Sequence, residues 1–290
     1  MIPSSFDYHA PATLAEAVAL LGKYPEDAKV LSGGQSLLPL LKLRLGQAGH
    51  LIDIGKIPGL EYIKEEGGML RIGGRTRESA LERSEIVQKR YPILVDTAKV
   101  IADPIVRNLA TVGGNLAHGD PGNDHPATML ALGAQVVAMG KSGERVIPID
   151  KFFLGLFRTA LQPDEILTEI RIPAPVEGSG GAYVKLERKV GDYATAASAA
   201  YVVIGTQGFV ERAGIGLTNL GPTPIKATAA EKYLIGKKPE TAALAEAARI
   251  AAQATEPSAD RRGAVEYKRE MARVPTGRAL KKAVERAGGK

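Results

Sequence analysis

The sequence predicts an α+β chain: two α/β subdomains, then a C-terminal region with a three-stranded antiparallel sheet and a bundle of helices. Three observations predict it. The first 58 residues alternate strand-like and helix-like segments in β–α–β order. A cluster of Pro173, Pro175, Gly178, Gly180 and Gly181 then punctuates the chain past its middle. Beyond that cluster, three strand-like runs precede helical patterns that continue to the end. The resulting divisions are 1–58, 59–176 and 177–290.

In the first division, Thr13 and Glu16 have capping-box spacing, and Leu14, Ala17, Val18 and Leu21 follow with helical periodicity. Residues 28–31 form a short apolar strand that ends at Ser32-Gly33-Gly34-Gln35-Ser36. A helix over 36–45 needs Pro39 in its first turn, where the missing N–H is harmless. Residues 50–54 form the next strand. In the second division, strands are expected at 69–72, 135–139 and 167–172, with helices at 77–84 and 93–101. In the third, strands are expected at 182–187, 196–204 and 210–217, with helices at 227–234, 242–254 and 264–287.

Composition excludes several classes. The chain has 290 residues, 44% hydrophobic and 24% charged, which suits a globular protein with a proper core. No apolar run is long enough to span a bilayer, and residues 1–7 carry no basic or apolar leader, so a cytoplasmic location is expected. Cysteine is absent, which removes disulfides, thiol nucleophiles and iron–sulfur ligation by this chain. His9, His50, His118 and His125 lack metal-site spacing. The net charge of +6 is uneven: residues 225–290 hold 15 Lys and Arg against eight Asp and Glu. Because acids such as Glu246, Asp260 and Glu270 interleave with the bases, a solvated helical surface is the first reading. A protein-docking face is the second and nucleic acid the last.

Two glycine pairs carry the chemistry. Ser32-Gly33-Gly34-Gln35-Ser36 follows a strand, and Thr111-Val112-Gly113-Gly114-Asn115 runs on into Gly119-Asp120-Pro121-Gly122-Asn123-Asp124. Glycine lets backbone N–H groups approach an anion, and a helix N-terminus strengthens the attraction. Two such nests suit a ligand with two linked phosphates; the alternative is two ordinary turns. Other motifs fail. No Gly-x-Gly-x-x-Gly follows a strand, Gly140-Lys141-Ser142 lacks the first P-loop glycine, and there is no Gly-x-Ser-x-Gly elbow. Asp120 and Asp124 lack the EF-hand pattern.

The two loops resemble those of the FAD-binding medium subunits of molybdenum hydroxylases, the flavoprotein component of the xanthine dehydrogenase family. The carbon monoxide dehydrogenase type is the most similar. The resemblance runs from Ile2-Pro3 and Phe6-Asp7-Tyr8 through Ile101-Ala102-Asp103-Pro104 and is densest over 111–127. It returns at Lys185, Arg188-Lys189, Gly191-Asp192-Tyr193-Ala194-Thr195-Ala196 and Gly216-Leu217-Thr218-Asn219. It implies that Ser32, Gly33, Gly34, Gln35, Ser36 and Leu37, with Thr111, Gly113, Gly114 and Asn115, clasp the FAD pyrophosphate. By the same resemblance Asp124 meets the ribose side, Lys185 lies near the flavin or its phosphates, and Ile101 and Leu167 give apolar contacts. Tyr193 lies against the isoalloxazine ring. Bland readings stand beside these: a helix N-cap for Asp124, a solvent-facing strand lysine, core positions for Ile101 and Leu167, and a buried or interface tyrosine.

The implied function is electron transfer with no general acid or base on this chain. A large subunit would hold the molybdenum cofactor and a small one the iron–sulfur clusters, as partners in a dimer of heterotrimers. Quinone or another acceptor would take the electrons, with membrane association peripheral at most and no nucleic acid bound. The competing readings are a medium subunit acting with an aldehyde- or N-heterocycle-oxidising partner, a self-sufficient FAD reductase, and a basic nucleic-acid-binding module.

Overall fold

The computed structural model describes residues 2–288. The chain opens with β1 (Asp7–His9), α1 (Leu14–Lys23), β2 (Ala28–Leu31), α2 (Leu37–Lys42) and β3 (His50–Asp53). The strands form a parallel sheet in the order β1-β3-β2. Thr13 Oγ1 accepts the Glu16 N–H at 3.2 Å, while Glu16 Oε2 accepts the Ala12 N–H at 2.9 Å. Ala17, Val18 and Leu21 on α1 are thereby turned onto Ala28, Ile52 and Ile54. Pro39 falls in the first turn of α2, as its missing N–H requires. That helix is shorter than its apolar pattern suggested, and Arg44, just beyond it, takes a left-handed φ of 55°.

The middle of the chain contributes β4 (Ile63–Glu66) and β5 (Met69–Gly73). Six short helices follow: α3 (Glu78–Arg83), α4 (Glu85–Arg90), α5 (Pro92–Lys99), α6 (Pro104–Arg107), α7 (Val112–His118) and α8 (His125–Leu132). Next come β6 (Gln135–Gly140), β7 (Gly143–Pro148), the hairpin of β8 (Phe153–Gly155) and β9 (Arg158–Thr159), and β10 (Ile166–Pro173). The main sheet runs β4-β5-β10-β6-β7 and is antiparallel throughout. Its three central strands are the ones the sequence predicts. The two edges, β4 and β7, are mostly solvent-exposed and carry no apolar alternation to betray them.

The last part holds β11 (Ser179–Leu186), β12 (Ala196–Ile204), β13 (Val210–Thr218) and β14 (Ile225–Lys226), then α9 (Thr228–Leu234), α10 (Thr241–Gln253) and α11 (Val265–Arg286). The sheet is antiparallel in that order. It has four strands where three were expected, because β14 is two residues long and too short to show a period. Strand β12 is buried on both faces. Ala197, Ala199, Tyr201 and Val203 join the core shared with α5 and α8, whereas Ala196, Ala200 and Val202 join Ala247, Ala251, Ala279 and Ala283 of the helical layer. Helix α8 lies directly on β13. A Cβ at Gly214 or Gly216 would strike the carbonyl oxygens of Ala131 and Ala127. Those two glycines therefore fix where α8 begins, and with it Asp124.

Many bases of the C-terminal helices are matched by acids. Arg249 pairs with Glu246 at 2.6 Å, Lys268 with Asp260 at 2.9 Å, and Lys282 and Arg286 with Asp96 at 3.0 and 2.6 Å. The Asp96 pairs tie α11 to α5. Part of the basic excess is thus compensated within the chain.

Candidate functional site

The two glycine loops, whose first residues Ser32 and Thr111 are 79 apart in sequence, lie against each other. Ser32 Oγ and Thr111 Oγ1 share a hydrogen bond at 3.0 Å. A Cβ on Gly33 would stand 2.9 Å from Ala110 Cα and 3.0 Å from Thr111 N, and closer still to the Leu109 carbonyl oxygen. Only glycine permits this approach.

The loops differ in what their backbones offer. Among the described residues, the N–H groups of Gly33, Gly34, Gln35 and Ser36 have no backbone acceptor. They open α2, and Gly34 turns through a φ of 73°. This is an anion nest with four free donors. The second loop is not. Gly113 N–H goes to the Gly74 carbonyl at 3.1 Å, Gly114 N–H to Thr111 Oγ1 at 3.2 Å, and Asn115 N–H to the Thr111 carbonyl at 2.9 Å. Thr111 is the N-cap of α7 and consumes the donors that the Gly-Gly pair seemed to present. The expectation of two amide nests is corrected to one nest and one capped helix. The second loop instead offers a side chain: Asn115 Oδ1 is buried with no hydrogen-bond partner among the described residues. An orphaned buried acceptor of this kind calls for a ligand donor.

Leu37 packs against Leu41 and Leu51 below the nest. Leu167 is a core residue whose carbonyl backs onto Gly74, the residue that receives the Gly113 N–H. From Asn115 the site continues through Asn123, whose Nδ2 donates to the Asn115 carbonyl at 2.8 Å. It ends at Asp124, at the start of α8.

Asp124 occupies the N-cap position, yet its side chain makes no capping bond. Oδ1 accepts from Tyr183 Oη at 2.6 Å and Oδ2 from Lys185 Nζ at 3.0 Å. The helix-cap alternative therefore does not describe what this carboxylate does. Lys185 is equally unlike a solvent-facing lysine. Its side chain is 2% exposed, and Nζ also donates to the Val100 carbonyl at 2.9 Å and lies 3.5 Å from Glu187 Oε2. Burial pushes the Asp124 carboxyl above its usual range, although Lys185 and Tyr183 pull the other way. Burial and the neighbouring Asp124 raise the Tyr183 hydroxyl well above 10. Tyr183 was missed in the sequence; it stands two residues before Lys185 on one strand face, a spacing that could have revealed it.

Ile101 is buried, and its carbonyl accepts from Arg107 Nη1 at 3.1 Å. The next residue, Ala102, has a φ of 45° and packs on Gly191. Tyr193 is 46% exposed and lies over Gly122, with Arg262 6.0 Å above its ring. Burial of the hydroxyl, with help from Asp120 and Asp124, raises its pKa. Asn219, also at positive φ, holds the Ala194 carbonyl with Nδ2 at 2.6 Å and donates its N–H to the Pro121 carbonyl at 2.8 Å. Strained backbone gathers around this end of the site, as it does where a ligand clamp is preformed.

Free backbone amides at one end and a partly exposed aromatic at the other suit a phosphorylated, ring-bearing ligand. Comparison with known proteins decides which. Residues 4–175 match the family described as the FAD binding domain in molybdopterin dehydrogenase, and residues 181–283 match the CO dehydrogenase flavoprotein C-terminal domain. The chain belongs to the FAD flavoproteins of the molybdenum hydroxylases, of the carbon monoxide dehydrogenase type. It is 49% identical over 281 residues to the carbon monoxide dehydrogenase medium chain of Hydrogenophaga pseudoflava, covering 97% of both chains. A solved carbon monoxide dehydrogenase from Hydrogenophaga pseudoflava aligns with a TM-score of 0.96 and 50% identity over 99% of both chains. Quinoline 2-oxidoreductase from Pseudomonas putida 86 aligns at 0.92 and 32%, again over 99% of both. No helix of the flavoprotein, among its described residues, is long and apolar enough to cross a membrane.

Proposed function

We propose that this chain is the FAD-carrying, electron-transferring subunit of a carbon monoxide dehydrogenase. The single observation that carries the site is the run of four unpaired amides opening α2, pressed against a loop with an orphaned Asn115 acceptor. The amides of Gly33 to Ser36 bind the pyrophosphate oxygens, helped by the N-terminal end of α2. Ser32 and Thr111 lock the loops at that spacing, and Asn115 Oδ1 accepts from a cofactor hydroxyl or amide. Asp124, oriented by Tyr183 and Lys185, accepts hydroxyl hydrogens on the ribose side. Lys185 acts by favouring the charged form of Asp124 and holding it in place, since its own contacts are with Val100, Asp124 and Glu187. Tyr193 lies against the isoalloxazine ring and limits access of water and oxidant to it. Ile101 and Leu167 supply the apolar walls. Bound FAD exchanges electrons singly or in pairs; the protein supplies orientation and electrostatics.

With no cysteine, the chain leaves iron–sulfur clusters to a small partner subunit and substrate oxidation to a large molybdenum-binding one. The subunits assemble as a dimer of heterotrimers in the cytoplasm, at most peripheral to the inner membrane face. Quinone or another acceptor takes the electrons. The identities of 49–50% with carbon monoxide dehydrogenases against 32% with the quinoline enzyme support carbon monoxide over an N-heterocycle as the complex's substrate. The division of the chain into units 1–58, 59–176 and 177–290 goes with this reading, the cofactor lying chiefly on the first two. The test is an absorption spectrum with cofactor extraction: the purified chain should be yellow and release one FAD per chain. A colourless chain that no added FAD restores would refute the site.

A further inference from the structure

Arg262 belongs to no glycine loop and lies 69 residues beyond Tyr193 in sequence. Its guanidinium nevertheless reaches the Tyr193 segment twice. Nη2 donates to Asp192 Oδ1 at 3.1 Å, and the guanidinium stands 6.0 Å over the Tyr193 ring, within cation–π range. Asp192 in turn accepts the Tyr193 N–H at 2.9 Å and pairs with Arg188 at 3.2 Å. The loop that carries Arg262 is itself anchored. Asp260 accepts the Arg262 N–H at 2.7 Å, and the backbones of Asp260 and Gly263 bond to each other. Beneath them Lys268, 2% exposed, donates to the Ser258 carbonyl at 2.8 Å and pairs with Asp260 at 2.9 Å. These two contacts offset the cost of burying the lysine's charge and hold the loop to α11. That loop is the platform from which Arg262 extends.

We propose that Arg262 is a positioning residue for the flavin: through Asp192 and the Tyr193 ring it holds the 188–195 segment closed over the isoalloxazine end of the site. The proposal rests on the flavin-facing role of Tyr193 put forward above. The mechanism is local. Without the guanidinium, Asp192 keeps the Tyr193 N–H and, as its one charged partner among the described residues, Arg188, whose side chain is 55% exposed; the Tyr193 ring loses the cation that weights it down. The segment then opens more often, and the flavin it covers meets solvent and dioxygen more easily.

The test uses the full chain with Arg262→Ala, Arg262→Lys and, should the alanine variant fold poorly, Asp192→Asn. Hydrogen exchange of the 188–195 amides in the FAD-free chain reads the contact. Visible circular dichroism of bound FAD and its reoxidation by dioxygen after photoreduction read the consequence. In Arg262→Ala, exchange should rise about tenfold, as expected when a charge-assisted anchor is lost from a locally opening segment. Reoxidation should speed up several-fold, the dichroism should change, and FAD affinity should stay within about threefold, because the pyrophosphate nest is untouched. Arg262→Lys should restore part of each. Unchanged exchange overturns the proposal, whatever the state of the flavin. Raised exchange with unchanged dichroism and reoxidation also overturns it, because the contact would then only support the fold. A wild-type chain that binds no FAD would instead overturn the flavin reading, and is recognised before any variant is compared.

Discussion

Gly33→Ala tests the contact on which the site is built. The added methyl would lie 2.9 Å from Ala110 Cα and 3.0 Å from Thr111 N, nearer still to the Leu109 carbonyl oxygen. All three are backbone atoms, so no side chain can swing aside. Relief requires the loops to part by most of an ångström, which stretches the 3.0 Å Ser32–Thr111 hydrogen bond past its useful range. Overpacking of this kind costs about 1–3 kcal/mol and the lost hydrogen bond about 1 kcal/mol. If about 2 kcal/mol of that falls on the cofactor-bound geometry, FAD affinity drops roughly 30-fold. Flavin fluorescence titration measures the affinity, and urea unfolding of the FAD-free chain measures the stability. Gly22→Ala is the control: it sits in α1 with nothing within 4 Å of the new methyl. It should stabilise the chain by about 0.5–1 kcal/mol and leave FAD binding alone. A Gly33→Ala chain with wild-type affinity and stability would refute the close-packed-loop argument.

Further expectations concern the rest of the site. Gly114→Asp drives its side chain toward Thr111 Oγ1, 2.7 Å from the new Cβ, and adds negative charge beside the pyrophosphate; FAD occupancy after purification should fall sharply. Lys185→Met leaves Asp124 buried without its cation and should cost about 3–5 kcal/mol in urea unfolding at neutral pH. Since burial already raises the Asp124 carboxyl, protonation relieves the variant, so its deficit should shrink as pH falls toward the raised value. Burial raises the Asp192 carboxyl, but Arg262, Arg188 and the Tyr193 N–H outweigh it and hold its pKa below the usual range. Its contribution to stability is therefore present above the ordinary aspartate range and lost as pH falls through the lowered value, a dependence that Arg262→Ala should flatten in pH-resolved unfolding. Tyr193→Ala should leave FAD binding largely intact while changing the flavin spectrum and its reoxidation by dioxygen; no change in either would restore the reading of an interface tyrosine.

The sequence shows its structure unevenly, and for physical reasons. The first loop was legible because Gly33 and Gly34 sit between an apolar strand and an apolar helix, a local pattern with a local meaning. The second misled because the fate of its amides depends on the extended backbone of Thr111, which turns that residue into a cap, and on Gly74, a partner 39 residues away. Helix α8 entered only through the N-cap alternative for Asp124, since every residue in it is buried, leaving no polar face to mark a period. The pairings that define the site, Asp124 with Tyr183 and Asp192 with Arg262, join segments 59 and 70 residues apart. Composition and spacing carry no trace of such contacts. Resemblance supplied Asp124, Lys185 and Tyr193 as candidates, while the geometry supplied what Asp124 and Lys185 do for each other.

The most direct measurement of the electron-relay account is anaerobic reduction of the FAD-loaded chain. Carbon monoxide added to the purified chain alone should leave the flavin absorption oxidised. Bleaching should follow only when the molybdenum and iron–sulfur subunits are added. Rapid bleaching by carbon monoxide or an aldehyde without those partners would contradict the account and identify a self-sufficient flavin reductase.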